Sequence, residues 1–150
     1  MSRRELVSLL LVSPIFVSSL LVSGARGQDR TAEIRRMILD AGRALQEGSA
    51  PRFVSYFALN DPVAAGRLRS GVSALFAQKD VAVSIEVQRI EASGDGFDAE
   101  ANWLLQLTPR DQPGAVERRQ EQVRMRIADN AKGKPRIVAF EPLELLEPMP

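Results

Sequence analysis

Tyr56 is the one side chain whose type and place suggest acid–base chemistry. A tyrosine hydroxyl can stabilise a developing oxyanion while a nearby carboxylate moves a proton, as an isomerase requires. That scheme needs a carboxylate among apolar groups, so that its pKa rises. Asp40 and Asp61 are the nearest candidates by position. Asp40 falls on the wet face of a helical pattern, however, and Asp61 is already explained as a helix cap. The chain has no His and no Cys, which excludes imidazole triads, thiol nucleophiles, disulfides, His or thiolate metal sites and a lipidated Cys. No catalytic residue is assigned, and neither a metal nor a cofactor is expected.

A second set is suited to binding. Phe53, Tyr56 and Phe57 form the densest aromatic cluster in the chain, and Trp103 is its only tryptophan. Aromatics at helical spacing usually fill a core; the same residues could line a small apolar pocket. Glu117, Arg119 and Glu121 share strand parity with the apolar Val123, Met125 and Ile127. Charged groups on an inward face are costly unless paired. They pair with each other, lie where the strand overhangs its helices, or form the polar rim of a site. Phe53, Tyr56, Phe57, Trp103, Arg119 and Glu121 are therefore the ligand-binding candidates.

The elements that must position these residues are legible in order. Ile34, Met37, Ile38, Ala41 and Leu45 make one apolar stripe, predicting a helix over about 31–47 that Gly48 stops. Gly42 inside it is explained either by a close crossing of another element or by mere tolerance. Ser49 and Pro51 start a short helix carrying Phe53 to Phe57 on one face. Asp61-Pro62, a carboxylate cap followed by proline, starts a third helix with Leu68, Val72, Leu75 and Phe76 on its buried side.

Four strands follow. Val81, Val83, Ile85 and Val87 alternate with polar residues. Ile90 breaks the parity and predicts a bulge near Gln88-Arg89. Ser93 to Gly96 is a hairpin turn. Ala99, Ala101, Trp103, Leu105 and Leu107 then share one face. A third strand runs over about 116–128 and a fourth over about 135–140, where Ile137 and Ala139 alternate with Val138 and Phe140. Leu143, Leu145 and Leu146 form an apolar tail expected to pack on the sheet or a helix edge. The fold class read from this order is α+β, with three N-terminal helices on the concave face of a curved four-stranded antiparallel sheet.

Residues 1–27 read as an export signal, leaving a domain over 28–150. Arg3 and Arg4 precede an apolar run from Leu6 to Val22, and Ala25-Arg26-Gly27 sets small residues for cleavage before Gln28. The arrangement Ser2-Arg3-Arg4-Glu5-Leu6 also resembles a twin-arginine signal. The alternative is an uncleaved membrane tether over 6–22. Removing the segment leaves 17 basic against 18 acidic residues, near −1 overall. That balance offers no electrostatic footprint for nucleic acid or an anionic membrane.

The long first helix (Ile34 to Leu45), the Phe53-Val54-Ser55-Tyr56-Phe57 segment, the Asp61-Pro62 start and four meandering strands ending in Gly133-Lys134-Pro135-Arg136-Ile137-Val138 resemble the nuclear transport factor 2-like superfamily of cystatin-like cones. The resemblance implies a pocket at the wide end of the cone. Its members include ketosteroid isomerases, dehydratases, polyketide cyclases and non-catalytic binding or assembly domains. This chain lacks the His of dehydratase-type members, and has little room for the extra hairpin some carry. The expected function is an exported, non-catalytic domain that binds a small apolar ligand or an envelope protein. The alternative is an isomerase- or polyketide cyclase-like enzyme using Tyr56. A homodimer through the outer sheet face (Ser84, Glu86, Asn102, Leu104, Gln106, Gln122, Arg124) is also expected from the resemblance.

Overall fold

The computed structural model describes the backbone of residues 13–149 and the side chains of residues 27–149. The apolar run from Leu6 lies partly outside the described residues, as do the Arg3-Arg4 pair and the expected twin-arginine pattern. The chain divides into two units, Met1–Ala32 and Glu33–Pro150. Helix α1 runs Ser13–Glu47, so it begins well before the predicted start and continues through Ala25-Arg26-Gly27. Among the described residues, no helix is long and apolar enough to cross a membrane.

In the larger unit the predicted stripe of α1 is buried: Ile34, Met37, Ile38, Ala41 and Leu45, joined by Ala44. Helix α2 is a single turn, Ala50–Val54, capped by the Ser49 hydroxyl, which accepts from the Arg52 amide. Helix α3 spans Pro62–Gln78, and Asp61 Oδ1 accepts from the Val63 amide at 3.0 Å, as the Asp-Pro start predicts. Its buried side holds Leu68, Val72, Leu75 and Phe76.

The sheet has the order β1 (Lys79–Ser93), β2 (Gly96–Pro109), β3 (Glu117–Asp129), β4 (Pro135–Glu141), all antiparallel neighbours. Three helices and a curved antiparallel meander thus give the expected α+β architecture. The first bulge falls between Val87 and Arg89, where the parity break placed it. A second lies opposite Arg126 and Ile127, which pair with Ala139 and Ile137 and leave Val138 over. That extra residue resets the alternation. Ile137 and Phe140 are both buried, while Ala139, expected on the Ile137 face, is exposed.

Both sheet edges have part of their backbone hydrogen-bonding groups occupied, which blunts their tendency to pair with other chains. On β1 the Gln46 Oε1 accepts from the Val83 amide at 3.2 Å, and Arg35 Nη1 reaches the Val87 carbonyl at 3.4 Å. Gly42 is explained by the same approach of α1 to β1: a Cβ there would stand 2.5 Å from Ile85 Cδ1. On β4 the segment after α2 runs alongside in parallel. Ile137 donates to the Tyr56 carbonyl at 2.9 Å, and Ala58 donates to the Ile137 carbonyl at 2.8 Å.

Gly96 is the tightest point of the β1–β2 hairpin. A Cβ there would come closer than 3.0 Å to the Ile127 carbonyl oxygen on β3. The neighbour is backbone and cannot swing away. Gly96→Ala is therefore expected to destabilise by about 1–3 kcal/mol, the usual cost of overpacking. Urea unfolding of the variant beside the parent checks it, and an unchanged midpoint would refute the clash.

Candidate functional site

The aromatic candidates are drawn together, but not as a helix face. α2 ends at Val54, so Tyr56 and Phe57 lie beyond it in the segment that accompanies β4. The correction has a physical cause. The backbone of this segment pairs with Ile137, which offers hydrogen bonds that another helical turn would forgo. Phe53 and Phe57 nonetheless meet, with ring centroids 4.9 Å apart. Phe57 stands edge-on to Phe140 at 5.8 Å, and Phe140 edge-on to Trp103 at 5.3 Å. Such tilted and edge-to-face pairs are favoured by the ring quadrupoles. Phe53 and Trp103 are fully buried, while Phe57 is half-buried.

Phe140 links this chain and was not foreseen. A plain alternation sets it opposite Ile137; only the bulge at Val138 brings it inward. Trp103 carries a feature that packing does not explain. Its indole Nε1 is buried and donates to nothing.

Tyr56 is half-buried and packs against the core. Its hydroxyl lies against Arg52. That contact, followed by the Glu47 carboxylate, holds the Arg52 guanidinium above its ordinary pKa. The carboxylates considered as its partners are used elsewhere: Asp40 pairs with Arg43 at 3.1 Å, and Asp61 caps α3. Among the described residues no polar or charged side chain is fully buried, and no group of acidic residues could hold a metal ion.

The three charged residues of β3 part company. Glu117 lies between two cations, Lys79 Nζ at 2.7 Å and Arg119 Nε at 2.8 Å. Arg119 Nη1 donates to the carbonyls of Leu145, at 3.0 Å, and of Glu147. Glu121, opposite Trp103 in the register, is exposed. Arg119 therefore fastens the C-terminal segment, whose 3-10 turn Leu143–Leu146 buries Leu143, Leu145 and Leu146 in the common core. From α3, Arg67 adds ion pairs to Glu147 at 2.6 Å and to Glu144 at 3.5 Å. The apolar tail was visible in the sequence; its two arginine fasteners were not, since a backbone carbonyl leaves no mark in a sequence.

Arg119 first, and Lys79 second, hold the Glu117 carboxyl below the ordinary glutamate range. A carboxyl whose pKa is depressed by folding contributes stability above its unfolded value, near pH 4.3, and that contribution disappears as pH falls through the folded value. The parent protein should thus lose stability between about pH 6 and about pH 3 more steeply than Glu117→Gln. Denaturation midpoints across that range measure the difference, and equal slopes would contradict the assignment.

Beside this fastening lies a cleft of about 510 Å3, lined by Arg67 of α3, Gln122 and Arg124 of β3, and Phe140, Leu143 and Glu144 at the departure of the tail. Phe140 forms its inner wall and has Trp103 behind it.

No family model matches the sequence, and no curated protein matches it. Solved structures do match the fold. A ketosteroid isomerase-like protein from Erwinia carotovora atroseptica aligns with a TM-score of 0.61 at 13% identity, over 73% of this chain and 91% of its own. A conserved protein from Planctomyces limnophilus gives 0.64 at 10% identity, over 75% and 94%. A nuclear transport factor 2-like protein with a cystatin-like fold, from Novosphingobium aromaticivorans, gives 0.60 at 18% identity, over 80% and 84%.

Proposed function

For a chain with the nuclear transport factor 2-like fold, we propose the role of an exported, non-catalytic binding domain that takes a small apolar ligand beside the Phe140–Trp103 ring pair. The observation that carries this reading is the composition of the interior. Among the described residues it holds aromatic and aliphatic side chains, with no fully buried acid or base. Proton transfer at carbon needs a general base tuned by burial, within hydrogen-bond reach of its substrate. The carboxyls displaced from their ordinary range, Asp98, Glu117 and Glu144, are all shifted downward, and none toward the range a general base requires. The Tyr56 hydroxyl is engaged by Arg52, so the isomerase alternative gains no support from it. Export rests on the Arg3-Arg4 start, the apolar run and the Ala25-Arg26-Gly27 step. A homodimer through the outer face is consistent with its exposed Ser84, Glu86 and Arg124 around half-buried Leu104.

The neutral fluorophore N-phenyl-1-naphthylamine tests the binding reading. It should gain emission with the purified domain and quench the single tryptophan. Deuterium uptake from heavy water into a cyclic ketone tests the alternative, and should stay at background in the parent and in Tyr56→Phe. Exchange abolished by Tyr56→Phe would overturn the non-catalytic reading. Absence of any fluorophore response would overturn the ligand.

A further inference from the structure

Two buried donors without partners share one patch of the sheet. Trp103 Nε1 belongs to a fully buried residue, and Arg119 Nη2 to a guanidinium whose side chain is 12% exposed. Trp103 pairs with Glu121 across the β2–β3 ladder, so Arg119 is its diagonal neighbour on the same face. Diagonal neighbours lie about 7–8 Å apart, within reach of aromatic and long side chains. Buried indole N–H groups normally have a partner, and a buried guanidinium N–H without one is costlier still. The remaining donors of Arg119 are engaged by oxygens: Glu117 at Nε, and the carbonyls of Leu145 and Glu147 at Nη1. Glu117 is itself offset by Lys79, which leaves the Lys79–Glu117–Arg119 group with one net positive charge.

We propose that Trp103 Nε1 and Arg119 Nη2 are the donors of a binding site for the carboxylate of an apolar organic acid, covered in this structure by the C-terminal turn Leu143–Leu146. The proposal rests on the apolar-binding reading above and specifies its ligand. A carboxylate has the charge that a guanidinium favours and two acceptor oxygens, one for each of the two remaining donors. The acid's hydrocarbon takes the place of Leu145 and Leu146 against the core that contains Phe140 and Trp103. The cleft lined by Phe140 and Leu143 is its way in. Arg67, through Glu144 and Glu147, sets how firmly the cover is held.

Calorimetric titration with decanoate and with decan-1-ol, which has the same chain without the charge, tests the site. Decanoate should bind at least about tenfold more tightly. Trp103→Phe, which keeps an aromatic ring but has no donor, should weaken decanoate about three- to tenfold more than it weakens decan-1-ol. Arg67→Ala, at an exposed position on the rim of the entry cleft and not among the two donors, should tighten decanoate by raising the population of the uncovered state. Thermal unfolding confirms that each variant is folded. Equal affinity for acid and alcohol overturns the carboxylate site and leaves an apolar binder. Decanoate failing with the parent and with Arg67→Ala, while N-phenyl-1-naphthylamine binds, also overturns the site alone. Failure of all three probes removes the underlying reading as well.

Discussion

Trp103→Ala is expected to lose about 3–5 kcal/mol of unfolding free energy, the range for deleting a buried aromatic. Trp103 is fully buried in the middle of β2, between Ile85 on β1 and Glu121 on β3, with Phe140 edge-on to its ring. Strands on both sides fix the backbone, so the surroundings can close only partly over the space left. The indole N–H makes no hydrogen bond, so its removal sacrifices none. Trp103→Phe should therefore cost much less than the alanine, since it keeps most of the ring contact and deletes an unpaired donor. Guanidinium unfolding of the three proteins decides the point. An alanine variant within about 1 kcal/mol of the parent would mean that Trp103 is not a core residue.

Arg119→Met is expected to cost about 2–3 kcal/mol and to release the C-terminal turn. Methionine keeps an apolar stem of similar reach, so the loss isolates the guanidinium. Three acceptors lose their donor: Glu117 and the carbonyls of Leu145 and Glu147. Glu117 retains Lys79, which sets the expectation below that for a buried ion pair stripped of its only partner. The effect should be local. Amide exchange at 143–147 should quicken by at least about tenfold while the β1–β2 amides hardly change, because local opening draws on the weakest contacts first. Uniform acceleration throughout the sheet, or none at the turn, would show that Arg119 does not fasten the segment.

Both outcomes turn on one division of labour. Trp103 and the aliphatic faces hold the sheet to the helices. Arg119 and Arg67 hold a piece of chain that would otherwise leave that core open at one end. The ion pairs elsewhere on the surface, such as Arg52 with Glu47, connect exposed side chains and contribute little.

What the sequence by itself determined is the architecture. Period-two alternation from Val81 to Val87 and from Ala99 to Leu107 can bury only one face, and the break at Ile90 located the first bulge. Asp61-Pro62 located α3 because a carboxylate cap and a proline without an N–H both suit a helix start. Only the tertiary structure decided the inward turn of Phe140, the place of Tyr56 beyond α2 and the partners of Arg119. In the short β4 every residue from Ile137 to Phe140 is apolar, so alternation cannot reveal an extra residue. Tyr56 follows the pairing of its backbone with Ile137, and Arg119 bonds carbonyls 26 and 28 residues away. Local pattern reports which face of an element is apolar; long-range backbone pairing, made by groups that every residue carries, is invisible to it.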